Sequence, residues 1–513
     1  MNYNSSFIQG LTFEMGTDGF GLLLHEVLHG LGLKHPHDDG GTGRPTYQSS
    51  GFQFIDRQWI TVMSYDEIKN GGDLMYSGSQ PIGPMIMDAI GLQYLYGESK
   101  FNEGDSTYDL RNYLGNYYNC QWDYSGEDIL NGSGLNYGIV VDLGIFSADN
   151  GTTTHNAGYI TSVLDSLLIE TIGVNPDKWT WLWGEYENVN GTSYYDIING
   201  NDLNNKLNGG LGDDELIGGD GDDTFDWDSD LRGGDDTMVG GLGDDVYVIN
   251  TSGDNIEEEL NEGTDTVWAA IDYSLPDNVE KLNQFGLNDA AATGNILSNY
   301  ISGNTKNNSI NGGDGNDTLV GGDGNDTFDW DSDLRAGDDS MFGGIGNDVY
   351  VVNTSGDNII EKFGEGTDTV WVTIDYTLPD NVEILKQFGS LNVSATGNGS
   401  SNYIYGNIGN NVISGGGGGV DTVDGSDGQD TLSLSGNRNA YIVIKSETSE
   451  SISIIDSDEK IIFKNVESFS FADALISYAN LFNQSPAAIS ATNTTNEDTA
   501  KTGTLAGTDV EGT

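Results

Sequence analysis

The sequence predicts a mostly β chain in which a short region built on one buried helix precedes a long parallel β-roll. Three observations lead there. Six copies of Gly-Gly-x-Gly-x-Asp, beginning at Gly209, Gly218, Gly240, Gly312, Gly321 and Gly343, each run into a short alternating apolar stretch. Acidic residues outnumber basic ones by 81 to 19, a formal charge of −62 over 513 residues. Four of the five histidines, His25, His29, His35 and His37, crowd into one short segment.

A charge of −62 opposes compaction unless something cationic neutralises it. Nucleic acid is excluded as a partner because its phosphates would be repelled, whereas calcium is bound by clustered carboxylate and carbonyl oxygens. Cys120 is the single cysteine, so no internal disulfide forms, and calcium is expected to supply the cross-links. No apolar run is long enough to span a membrane. The first residues, Met1-Asn-Tyr-Asn-Ser-Ser6, lack a positive run followed by an apolar core, so export is expected to use another signal.

Leu22, Leu23, Leu24, Val27, Leu28 and Leu31 give the first element an apolar body, and Thr17 or Asp18 is placed to cap it. On such a helix His25 and His29 share one face four residues apart, so both imidazoles reach one ion, with Glu26 beside it. Gly32 lets the chain leave the helix and return His35 as a third nitrogen ligand. Three histidines leave one position open for water, the mark of catalytic rather than structural zinc. His37 and His155 are given no catalytic role. Residues 38 to 57, rich in Gly, Asp, Ser and Thr, form a surface loop leading to Thr61-Val-Met63-Ser-Tyr65.

His25-Glu-Val-Leu-His29-Gly-Leu-Gly-Leu-Lys-His35, followed by Pro36 and the Met63-Ser-Tyr65 turn, resembles the serralysin family of metzincin zinc endopeptidases. Pro84-Met-Ile-Met-Asp88 through Gln93-Tyr-Leu-Tyr-Gly97 is similar to the last helix of their catalytic domain. The resemblance implies one zinc on His25, His29 and His35, Glu26 as general base, Met63 beneath the ligands, and Tyr65 as a movable zinc ligand that, once released, hydrogen-bonds the tetrahedral intermediate. It implies hydrolysis of protein and peptide substrates. Family members carry a sizeable subdomain before the active-site helix, whereas 24 residues precede His25, so residues 1–98 are expected to be an incomplete α+β catalytic domain.

Residues 99–205 read as a strand-rich link similar to the one between serralysin catalytic and repeat domains. Tyr137-Gly-Ile-Val-Val-Asp-Leu143 alternates as a strand does. Trp179-Thr-Trp-Leu-Trp183 fits either a carbohydrate-binding patch or a strand whose tryptophans pack on neighbours, and sheet preference for aromatics favours the strand.

The repeats occupy residues 206–432. In each, the glycines turn the backbone and expose carbonyl oxygens, and the closing aspartate adds a carboxylate: Asp214, Asp223, Asp245, Asp317, Asp326 and Asp348 are the expected calcium ligands. The next three residues, such as Glu215-Leu-Ile217 or Val246-Tyr-Val248, form a strand with one inward side chain. Stacked turns make a parallel β-roll of the repeats-in-toxin kind, holding several calcium ions. A longer repeat overlies the short one: Gly218 and Gly321 open near-identical decapeptides, an offset of 321 − 218 = 103 that Gly240 and Gly343 share. Neutralising clustered carboxylates couples ion binding to folding.

Degenerate copies around Gly415 and Gly425 taper the array, and residues 433–482 supply closing strands at Tyr441–Lys445, Ser451–Ile455 and Lys460–Phe463. Residues 483–513 resemble the start of a cadherin-like or adhesin module that stops short, a candidate for cell-surface or matrix contacts. The expected protein is a zinc endopeptidase secreted by a bacterial type I route, with calcium-dependent folding. The alternative is a calcium-binding surface adhesin with a vestigial protease region.

Overall fold

The computed structural model describes residues 104–114, 117–123, 125–149, 154–163, 179–227, 233–329, 337–445, 450–454 and 460–482, with two-residue strands at 69–70, 73–74, 80–81, 487–488 and 507–508. The chain divides into two compact units, Met1–Ile271 with Pro276–Lys281, and Asp272–Leu275 with Leu282–Thr513. Among the described residues the architecture is almost wholly β, and the α-helix present is the four-residue Tyr478–Leu481. No helix among them is long and apolar enough to cross a membrane. The helix expected at residues 21–31 and the one at 84–97 lie outside the described residues.

In the first unit a coil alternates between two parallel sheets. Ile197–Asn199, Glu215–Asp220, Thr237–Leu242 and Asn255–Glu257 stack in one sheet. Asn188–Thr192, Lys206–Gly210, Thr224–Phe225, Val246–Ile249 and Thr266–Ala269 stack in the other. Because strand side chains alternate, the second residue of each of these strands points inward. Parallel register then places like on like: Ile198, Leu216, Met238 and Ile256 form one inward ladder, and Val189, Leu207, Phe225, Tyr247 and Val267 face it. All nine are buried. Burying an aliphatic or aromatic side chain this fully contributes about 1.5–3 kcal/mol, so a roll with one or two inward residues per strand gains cohesion only by stacking many coils.

The parallel ladder continues upstream of Lys206 to Ile129–Asn131 and Thr107–Asp109. Beside it Ile139–Asp149, Thr154–Ser162 and Trp179–Trp183 pair antiparallel in turn. The tryptophan run is thus a sheet strand, and Trp181 is buried.

The second unit repeats the plan. One inward ladder runs through Ala292, Ile310, Phe328, Tyr350, Val370, Leu385, Ile404, Val423 and Phe463. Facing it are Ile301, Leu319, Met341 and Ile359, then Ala395, Ile413, Leu432 and Phe469. The roll closes where direction reverses: Tyr441–Lys445 and Glu450–Ile454 pair antiparallel beside Lys460–Lys464, and Leu475–Ser477 pairs antiparallel with Ser468–Ser470. The three expected closing strands are therefore present, within one residue of their expected bounds. An antiparallel hairpin ends the stacking of coils because it presents no corner for a further parallel turn.

Candidate metal centre

Six corners of the coils are turned by the glycine-rich hexapeptide. In the copy at Gly218, Gly219 has φ +119°, a conformation that L side chains rarely adopt. Gly218 is needed for a different reason. A Cβ there would strike the Asp223 Oδ2 of its own copy and lie 2.8 Å from the carbonyl oxygen of Gly240 in the next coil. The corner thus gathers oxygen atoms around a position kept bare of side chain.

The six expected aspartates all sit at such corners, at most 2% exposed. One carboxylate oxygen of each is committed to the backbone. Asp223 Oδ1 accepts from the Asn205 N–H (2.7 Å), Asp245 Oδ1 from the Asp223 N–H (2.7 Å), and Asp265 Oδ1 from the Asp245 N–H (2.8 Å). The opposite corners run the same way, from Asp196 N–H to Asp214 Oδ1 and from Asp214 N–H to Asp236 Oδ1, both 2.8 Å. The second unit holds the equivalent bonds, Asn308 to Asp326 and Asp326 to Asp348 at 2.7 Å, and Asp317 to Asp339 at 2.8 Å.

The other oxygen is left over. Oδ2 of Asp214, Asp223, Asp245, Asp317, Asp326 and Asp348 is buried without a hydrogen-bond partner. A buried carboxylate oxygen with no donor is costly unless a cation or a proton meets it. Burial accordingly pushes these groups up, Asp214 and Asp223 to about 8, Asp245, Asp317 and Asp326 to about 7 and Asp348 to about 6. Backbone N–H donors pull the other way, and neighbouring ladder carboxylates add to the rise. Hard carboxylate and carbonyl oxygens with no nitrogen or sulfur among them form a donor set that fits calcium.

Several ladder members escaped the sequence reading: Asp196, Asp236, Asp254, Asp265, Asp339, Asp357 and Asp368. None closes a complete Gly-Gly-x-Gly-x-Asp copy. The available signal was spacing, since bonded corners stand 18, 20 or 22 residues apart, two nonapeptides with or without a short insertion. His25, Glu26, His29, His35, Met63 and Tyr65 lie outside the described residues.

Residues 199–227, 231–247, 293–328, 335–351 and 396–432 match the family model of the RTX calcium-binding nonapeptide repeat. These stretches and the ladders agree: this is a β-roll of calcium-binding repeats. The chain is also similar to serralysin of Proteus mirabilis, 34% identical over 146 residues, 26% of this chain and 29% of that protein. Serralysins B and C of Dickeya chrysanthemi are 32% and 33% identical over 183 residues, 30% of this chain and 37% of each relative. The chain thus spans about a third of the length of the curated relatives it matches.

Proposed function

We propose that the chain is a secreted zinc endopeptidase of serralysin type whose β-roll folds as calcium binds. The observation that carries the calcium half is the row of buried, unpartnered Oδ2 atoms on Asp214, Asp223, Asp245, Asp317, Asp326 and Asp348, which in this reading hold the ions. Low calcium inside a cell keeps such a chain extended, and higher calcium outside closes the corners. Repeats of this kind and the partial likeness to serralysins support export to the outside.

The protease half rests on the histidine motif and on the same partial likeness. In this reading His25, His29 and His35 hold zinc, which when bound supplies an acidified water. Glu26 takes the proton from that water and later returns it to the leaving amine. Tyr65 donates a hydrogen bond to the carbonyl oxygen as negative charge builds there, and Met63 supports the ligands from below. Protein and peptide chains are the substrates.

The test is casein cleavage with calcium and zinc present, beside the Glu26→Ala variant. Activity that Glu26→Ala abolishes supports the reading, and activity no higher than that variant's rejects it. A second reading, a calcium-dependent surface adhesin with a vestigial protease region, draws on Asn496-Glu-Asp-Thr-Ala500 and Gly503-Thr-Leu-Ala-Gly507, which resemble an adhesin module. Metal analysis separates the two, with about one zinc per chain for the protease and calcium alone for the adhesin.

A further inference from the structure

The corner ladders do not end uniformly. In the first unit Asp245 closes the last complete hexapeptide copy, and the coil after it lacks the glycine pattern. There Glu258, just beyond the strand Asn255–Glu257, approaches Asp245 and Asp265, and one carboxylate oxygen from each lies within 4.8 Å of the others. The second unit does the same 103 residues later with Asp348, Glu361 and Asp368. The family match stops at residues 247 and 351, so neither glutamate, nor Asp265, nor Asp368 belongs to it.

The surroundings hold these groups in place. Tyr247 is the inward residue of its strand and stacks on Phe225, ring centroids 4.9 Å apart and planes 7° from parallel. Its hydroxyl donates to Glu258 Oε1. Tyr350 stacks on Phe328 at 5.0 Å and 9°, and donates to Glu361 Oε1. Asp245 is 0%, Asp348 1% and Glu361 8% exposed. After the backbone and phenol bonds are made, Asp245 Oδ2, Glu258 Oε2, Asp348 Oδ2 and Glu361 Oε2 remain buried with no partner. A Cβ on Gly240 would overlap the Tyr247 hydroxyl, Asp245 Oδ2 and Glu258 Oε1 together, and one on Gly343 would overlap the equivalent three atoms. Glycine keeps both cradles open. Among the described residues none of the six carboxylates forms an ion pair with a basic group.

Three converging carboxylates without a counter-charge call for a divalent cation, and oxygen-only donors select calcium over zinc. An ordinary corner brings the carboxylate of its own copy and glycine carbonyls, whereas here a third chain segment adds a glutamate. We infer that Asp245, Glu258 and Asp265, and likewise Asp348, Glu361 and Asp368, each hold one calcium ion in a three-carboxylate terminal site that fills before the ordinary corners. The tyrosines are positioning residues that aim the glutamates. The inference rests on the calcium reading of the repeats and adds two sites of a distinct class.

The experiment is a titration of the full chain with calcium, and separately with terbium, whose emission is sensitised by a nearby tyrosine. Wild type is expected to bind two ions roughly tenfold or more tightly than the rest, because ligand charge count sets affinity. Terbium emission excited through tyrosine is expected to approach its limit within those two equivalents. Glu258→Gln/Glu361→Gln keeps the shape and the acceptor for each phenol but removes two charges. It is expected to lose the tight class while keeping the weaker ions. A double variant whose titration superposes on wild type overturns the inference, as does wild-type emission that rises evenly across all equivalents. The wild-type readout stands even if the variant fails to fold. A wild-type chain that binds no calcium rejects the underlying reading instead, which keeps the two failures apart.

Discussion

Two stretches of the second unit turn the same corner with different chemistry. Among the corner residues in the coils of residues 312–352, Asp317, Asp326 and Asp348 each have one oxygen on a backbone N–H and the other unpartnered. In the coils of residues 394–414 they are Asn402 and Asn411, equally buried. Asn402 Oδ1 accepts from the Asn398 N–H (2.8 Å), while its Nδ2 donates to Asn398 Oδ1 (3.0 Å) and to the Val382 carbonyl (3.3 Å). Asn411 does the same with Asn407 and the Val393 carbonyl. The amide donor satisfies internally what the carboxylate leaves for an ion. One roll therefore contains corners whose carboxylate keeps an oxygen free for an ion and corners whose amide is satisfied within the chain.

The largest expected effect is on local opening. Calcium at about 100 times its Kd stabilises what it binds by about 2.7 kcal/mol, roughly a hundredfold in opening. Hydrogen exchange with and without chelator is expected to change by that order in Thr318–Asp323 and Ser340–Ile345. Tyr403–Tyr405 and Val412–Ser414 are expected to change far less. Equal loss of protection in both stretches breaks the comparison.

A medium-sized effect is expected from pH. The folded-state values of Asp214, Asp223, Asp245, Asp317 and Asp326, raised to about 7 or 8, lie above the ordinary value of about 3.9. Without calcium, their protonated forms favour the folded roll. That contribution is full below the ordinary value and disappears as pH rises through 7 to 8. In chelator the roll is expected to keep more strand signal at pH 5 than at pH 8.5, while calcium affinity rises over the same window because the ion needs the deprotonated form. Circular dichroism at the two pH values reads this, and less strand at pH 5 in chelator would contradict it.

The smallest effect is a single exchange. Asn402→Asp removes the donors to Val382 and Asn398 and places an unpaired charge at a buried corner. A loss of about 1–3 kcal/mol is expected in chelator, largely restored by calcium. Thermal melts in the two conditions test it, and a loss that calcium does not repair shows that the asparagine corner cannot be converted.

Much of this was legible in the chain. The copies at Gly209, Gly218, Gly240, Gly312, Gly321 and Gly343 placed six aspartates, and the structure puts all six at buried corners. Val246-Tyr-Val248 announced its inward middle residue, and Tyr247 is fully buried. The asparagine corners were also written there, as Gly-Asn-x-x-x-Asn at Gly200, Gly294, Gly303, Gly397 and Gly406. They carry neither the glycine pair nor the closing carboxylate of the hexapeptide, whereas the corner needs only an acceptor for one N–H. In these copies the first asparagine makes the turn by accepting from a backbone N–H two residues on, as Asn398 does from Ser400 at 2.9 Å.

What the sequence by itself determined is the unit: a nonapeptide of turn plus strand, its repetition, its inward residue and its surplus of carboxylates. Those are local properties, set by glycine's backbone freedom, side-chain alternation and charge. What only the tertiary structure decided is which carboxylates share a space. Glu258 lies 13 residues beyond Asp245 with no glycine motif to mark it, and Asp265 and Asp368 lie in strand-rich inserts. The coil's return, the seating of Tyr247 on Phe225 and the absence of a Cβ at Gly240 bring the three acids together, because contacts between coils depend on register that no single nonapeptide contains.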